Sequence, residues 1–182
     1  MTSKLKVNIL ADGGDNAIMT SNGSGTLTLN NAALKNTPNF NAVMDVADQT
    51  ISNNTWTKIG FGDEQWDSDG KYDASNDRFT PTVAGKYWYK ISVVVDDGNA
   101  SSIQAVTIFK NGTQSSLNGY STRSWSVSGG GVNTIETSGT IDLDGDDYIE
   151  AYVYLETATN IYNQFGTNKG VSQFTSYRLI GT

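Results

Sequence analysis

The stretch Phe61–Val95, FGDEQWDSDGKYDASNDRFTPTVAGKYWYKISVVV, decides the fold. Its first half holds six carboxylates within the fifteen residues 63–77, and its second half is almost continuous strand. Tyr87, Tyr89, Ile91, Val93 and Val95 alternate with Lys86, Trp88, Lys90 and Ser92. A period of two predicts a strand with one face in a core. Gly85 stands where a tight turn leads in. The acidic half reads as a solvated, turn-rich loop feeding that strand.

Working outward from Phe40, strand signals recur roughly every ten residues, the spacing of a sandwich or barrel. The expected strands are 40–46, 56–61, 79–82, 86–95, 102–110, 135–143, 147–156 and 172–180. DDGN at 96–99 and KNG at 110–112 mark hairpin turns. No window carries an apolar period of 3.6, so the class is all-β. Residues 1–38 stand apart. KLKVNIL, NAIMT and GTLTL read as three short strands separated by ADGGD and SNGSG turns. Strands this short and sparse cannot close a core, so sister chains or another protein are expected to order them. The hinge LKNTPNF around Pro38 gives two parts, 1–38 and 39–182.

Composition narrows the chemistry. Among 182 residues there is neither histidine nor cysteine. That removes a thiol nucleophile, an imidazole base and a Cys/His zinc site. A net charge of −7 argues against an electrostatic grip on nucleic acid or an anionic membrane. No apolar run approaches the roughly 20 residues that cross a bilayer, and the N-terminal apolar stretch is short for a secretory signal. The 19 acids make chance carboxylate pairs inevitable, and nothing singles out one pair for glycoside hydrolysis. No catalysis is expected.

Phe61, Asp67, Tyr72, Phe79, Gly85 and Tyr87 fall at the spacing of a signature that resembles the C1q-like head domain, a jelly roll related to the tumour necrosis factor fold. Tyr89 stands where that family has Phe, and Ile91 where it has an aromatic; both keep the apolar character. FKNG at 109–112, DGDDYIEAYVYL at 144–155 and SQFTSYRLIG at 172–181 look like the family's later strands. The resemblance implies a jelly-roll sandwich and a homotrimer. The Gly/Asn-rich first segment, NTPNF and the closing YRLIGT also resemble short structural proteins of tailed bacteriophages. There, such a head sits on a tail fibre, a head fibre or the capsid. The implied role is a trimeric virion structural protein, assembled in the host cytoplasm, that exposes its head for host-surface attachment. Residues 1–38 would bind other virion proteins. The rival readings are capsid decoration without a receptor and a secreted bacterial lectin-like module.

Three residue sets are candidate sites. In YIEAYVYL, Ile149, Ala151, Val153 and Leu155 form an interior face, leaving Tyr148, Glu150, Tyr152 and Tyr154 opposite. Tyrosines seldom crowd a solvent face, so Tyr148, Tyr152 and Tyr154 are expected at the trimer interface, where the resemblance also puts subunit contacts. The alternative is an open aromatic platform for a glycan. Tyr120, Arg123 and Trp125, in a polar glycine-rich stretch, are the candidate recognition patch for a glycan or protein. Asp142, Asp144, Asp146 and Asp147 form a candidate calcium site, since some members of the resembled family bind calcium near the threefold axis; a solvated turn is the plainer reading. DEQWDSDGKYD fits a calcium loop less well. Gly70, Asp67 and Asp69 match the pattern, but Gln65 stands where an acid is needed and no Glu closes it. Trp88 is expected within the core or a subunit contact.

Overall fold

The computed structural model describes residues 7–30, 34–96, 103–114, 121–124, 132–157, 159–165 and 168–181. The first three strands, β1 (Ile9–Ala11), β2 (Ala17–Ser21) and β3 (Leu27–Leu29), form an antiparallel meander of their own. The head begins with β4 (Asn39–Val43), β5 (Asp48–Ile51), β6 (Thr57–Lys58), β7 (Asp63–Asp67), β8 (Tyr72–Asp73) and β9 (Arg78–Phe79). It continues with β10 (Gly85–Asp96), β11 (Ile103–Lys110), β12 (Thr113–Gln114), β13 (Ser121–Ser124) and β14 (Val132–Leu143). The last strands are β15 (Ile149–Leu155), β16 (Thr159–Tyr162), β17 (Gln164–Phe165), β18 (Asn168–Lys169) and β19 (Gln173–Arg178).

Two sheets make the sandwich. The first runs β5-β16-β10-β19-β4-β7, with β14 also on β10. The second runs β12-β11-β15-β9-β8, with β13 on β11 and β6 on β15. The alternating stretch Tyr87–Val95 is the backbone of the first sheet. It pairs along its whole length with β14, from Gly85↔Leu143 to Asp96↔Val132, and on its other side with β19 and β16. KNG turns β11 into β12 as read from sequence. Asn111 and Gly112 both have positive φ, 53° and 73°, as a two-residue hairpin turn of this hand requires.

The faces sort as the period predicts. Tyr87, Tyr89, Ile91, Val93 and Val95 are buried, and Ile149, Ala151, Val153 and Leu155 meet them from the other sheet. Phe40 sits among the rings of Tyr72, Phe79 and Phe174 at centroid distances of 4.4, 4.6 and 4.9 Å. Each such buried ring contributes roughly 1.5–3 kcal/mol. The core tyrosines keep their hydroxyls bonded: Tyr72 donates to the carbonyl of Phe61 at 2.9 Å, and Tyr87 to that of Val83 at 2.6 Å. Burial raises the Tyr72 hydroxyl pKa and pushes those of Tyr87 and Tyr89 up to about 12, so all three remain donors near neutral pH. Gly139 lies opposite Tyr89 in register; a Cβ there would sit 2.9 Å from the Tyr89 hydroxyl oxygen.

One expectation is corrected, and for Trp88 one of two expected places is excluded. The acidic stretch is not simply a loop: Asp63–Asp67 forms the edge strand β7, pairing with β4. Its turn carboxylates bind the chain's own backbone. Asp67 accepts from the amides of Asp69 (3.1 Å) and Tyr72 (2.6 Å). Asp73 accepts from the Ser75 hydroxyl (2.6 Å) and the Asn76 side chain (2.7 Å), hydrogen bonds that hold its carboxyl down to about 2. Trp88 is not in the core. It lies half-buried on the outer face of the first sheet, its ring 5.1 Å from that of Tyr177.

Candidate functional site

Alternation along β15 turns Tyr148, Glu150, Tyr152 and Tyr154 away from the core, as the sequence predicts. The structure then gives these side chains partners from their own chain. The register β11–β15 brings Phe109 opposite Glu150, and its ring stacks diagonally on Tyr152 at 3.8 Å with a 14° interplanar angle. Trp56, just before β6, lies 5.5 Å from the Tyr154 ring and 6.0 Å from Phe109. The Tyr154 hydroxyl donates to Asn54 at 2.9 Å. Beneath this aromatic cover Glu150 is only 3% exposed. Its carboxylate accepts from Arg78 at 3.1 Å and Lys58 at 3.4 Å, and the Arg78 guanidinium lies 4.2 Å from the centre of the Tyr148 ring. Burial, and then the Glu150 charge, raise the Tyr152 hydroxyl pKa. The result is an aromatic shelf over a neutralised carboxylate, with two cations at its margin. The sequence, which offers Trp56 as a ring that could stack on a sugar or anchor a contact, did not join Phe109, Lys58 or Arg78 to this face, because the pairing that assembles them is long-range.

Of the four aspartates of DLDGDD, Asp142 stands apart, while Asp144 lies against Asp146 and Asp147, whose carboxyls raise its pKa. Asp142 reaches Lys86 at 2.7 Å, and both side chains are exposed. Asp147 is buried and accepts from Lys110 Nζ at 2.6 Å, Asn111 Nδ2 at 2.7 Å and the Asp144 amide at 2.9 Å. Asp144 in turn accepts from the Asp147 amide at 3.2 Å, closing the turn on itself. Burial alone would push the Asp147 carboxyl up; the bonds from Lys110, Asp144 and Asn111 outweigh it and hold the pKa at about 2. The shallow cleft alongside, about 440 Å³, is lined by the ion pairs Lys86–Asp142 and Lys110–Asp147 and by Asp144. Among the described residues no three acids are placed together to hold a metal ion. Lysine ammonium groups meet two of the four candidate ligands, Asp142 and Asp147, which favours the turn reading.

Of the recognition patch, Tyr120 and Trp125 lie outside the described residues. Arg123 lies on β13, its backbone paired with Gln104. A second aromatic surface, unanticipated as a set, spans the outer face of the first sheet. Trp88 and Tyr177 are neighbours across β10 and β19, and both are half-buried. Asn39 continues the row on β4, and Trp66 of β7, 54% exposed, donates its indole N–H to Asn39 at 3.1 Å. The flanking charges are already paired, Lys90 with Glu136 at 3.0 Å and Lys86 with Asp142.

No family model matches the sequence, and no curated protein sequence matches it. Solved structures do. The chain is similar to the globular domain of zebrafish complement 1qA, with a TM-score of 0.53 at 12% identity, over 78% of this chain and 97% of that one. It is similar to murine APRIL at pH 8.0, with a TM-score of 0.55 at 16% identity, over 78% and 98%. At such identities the likeness shows the fold alone. The fold is a C1q/tumour necrosis factor-like jelly roll.

Proposed function

We propose that this chain is a homotrimeric structural protein of a bacteriophage particle. In this reading residues 39–182 are an outward head for attachment to the host surface, and residues 1–38 join the head to other virion proteins. One observation carries it, the contrast between the two parts. The head closes a complete core of its own, whereas the meander leaves Val7, Ile9, Leu10 and Leu27 exposed by 52, 58, 45 and 62%. A three-stranded sheet with its apolar side chains in water needs a partner surface. The resemblance of the first segment to structural proteins of tailed phages supports a virion as the setting. A chain without His or Cys, whose acids serve turns and ion pairs, fits binding better than catalysis.

The contact between copies is better assigned to the Trp88–Tyr177 face than to Tyr148, Tyr152 and Tyr154. Apart from the resemblance, those three tyrosines point to a copy contact because their rings need something to meet, and Phe109, Trp56 and Arg78 supply it within the chain. The β15 face is then free to act as the attachment shelf. Trp88, Tyr177 and Trp66 form a flat aromatic row whose neighbouring charges are mutually neutralised, a composition suited to an interface core. Gold-labelled antibody against the head, viewed on intact particles by electron microscopy, tests the role. Label on the particle together with blocked adsorption to the host is expected. Bare particles would contradict it, and capsid label with normal adsorption would move the reading to decoration.

A further inference from the structure

The meander's strands carry an apolar row that crosses all three of them. Leu10 pairs with Met19, and Met19 with Leu29, so the three side chains stand on one face. Leu27, two residues before Leu29, joins them on that side. The opposite face mixes Ile9 and Ile18 with polar residues: Ile9 pairs with Thr20, Thr20 with Thr28, and Asn30 Nδ2 donates to Thr20 Oγ1 at 3.0 Å. We infer that the Leu10–Met19–Leu29 face is covered by the same face of two sister copies of this chain, closing about the threefold axis. The inference rests on the homotrimer reading and deepens it by giving one face of residues 7–30 to sister copies, which leaves the rest of the segment to other virion proteins.

Three features favour sister copies over a different protein. A threefold axis brings the same residue from each copy together, so a charge there would meet its own like. Strands β1, β2 and β3 contain no charged residue; Asp12 and Asp15 lie in the β1–β2 turn, where Asp12 accepts from the amides of Gly14 (2.8 Å) and Asn16 (3.0 Å). Tethering adds to this. Only the nine residues 30–38 separate β3 from β4, a reach of about 30 Å when extended. Meanders on one trimeric head therefore meet each other at an effective concentration that a free partner does not match. Met19, central in the row and conformationally adaptable, suits a position nearest the axis.

The absence of native cysteine makes the test clean. M19C, L29C and T20C are made singly in the full chain, oxidised, and run on non-reducing gels beside sedimentation of the reduced proteins. M19C or L29C is expected to give a disulfide band at twice the single-chain mass, while T20C on the opposite face stays single. A threefold mass with M19C and L29C thiols that remain open to a soluble maleimide overturns the inference and leaves the trimer standing. Cross-linking of T20C as readily as M19C also overturns it. A single-chain mass fails the trimer reading itself, and the inference with it.

Discussion

The carboxylate of Asp147 shows what favours the plainer, turn reading of the acidic stretch. Four aspartates in six residues look like a cation site, yet the ammonium of Lys110, from the far end of β11, lies 2.6 Å from one of them. Nothing in DLDGDD announces that lysine, because it arrives through sheet register. Two predictions follow at this scale. Holding the Asp147 carboxyl near 2, against its ordinary 3.8, means that its ionised form favours the folded state. The stabilisation is fully present above about pH 4 and is lost as the pH falls toward 2. With Lys110 one-third exposed, it amounts to on the order of 1–2 kcal/mol. Asp147→Asn should lower the unfolding free energy from urea titration at neutral pH by that much and flatten the loss of stability below pH 4. An unchanged acid limb would contradict the assignment. Calcium supplies the second: the melting temperature in millimolar calcium should equal that in chelator, whereas a rise would restore the metal site.

At the scale of elements, strands with one buried face were legible and strands without one were not. β10, β11, β14, β15 and β19 alternate or run apolar, and each appears where its pattern puts it. β7, DEQWD, is mostly exposed, so no period marks it; backbone pairing with β4 alone makes it a strand. Its acids suit an edge, where like charges discourage pairing with another chain. β5 and β16 are short and polar and were missed for the same reason. The aliphatic face of β15 was readable, but its outward side was not, because Glu150 takes its cations from residues 92 and 72 positions away. The two aromatic faces separate under mutation. Trp88→Asp should abolish the trimer in sedimentation, while Tyr152→Asp should keep it and weaken attachment to host cells. A Tyr152→Asp chain that dissociates would return the copy contact to the β15 face.

For the whole molecule, the sequence conveyed a sandwich head, because core alternation and turn chemistry are local signals. Assembly is not local. It depends on which outward faces remain unmatched once long-range pairing is complete, and only the folded chain shows that Tyr152 is already stacked while Trp66 is not buried. The central claim is that such a chain works as three. Sedimentation equilibrium of the full-length protein at micromolar concentration tests it most directly. The account predicts a single species at three times 19.6 kDa; a species at 19.6 kDa that persists as concentration rises would contradict it.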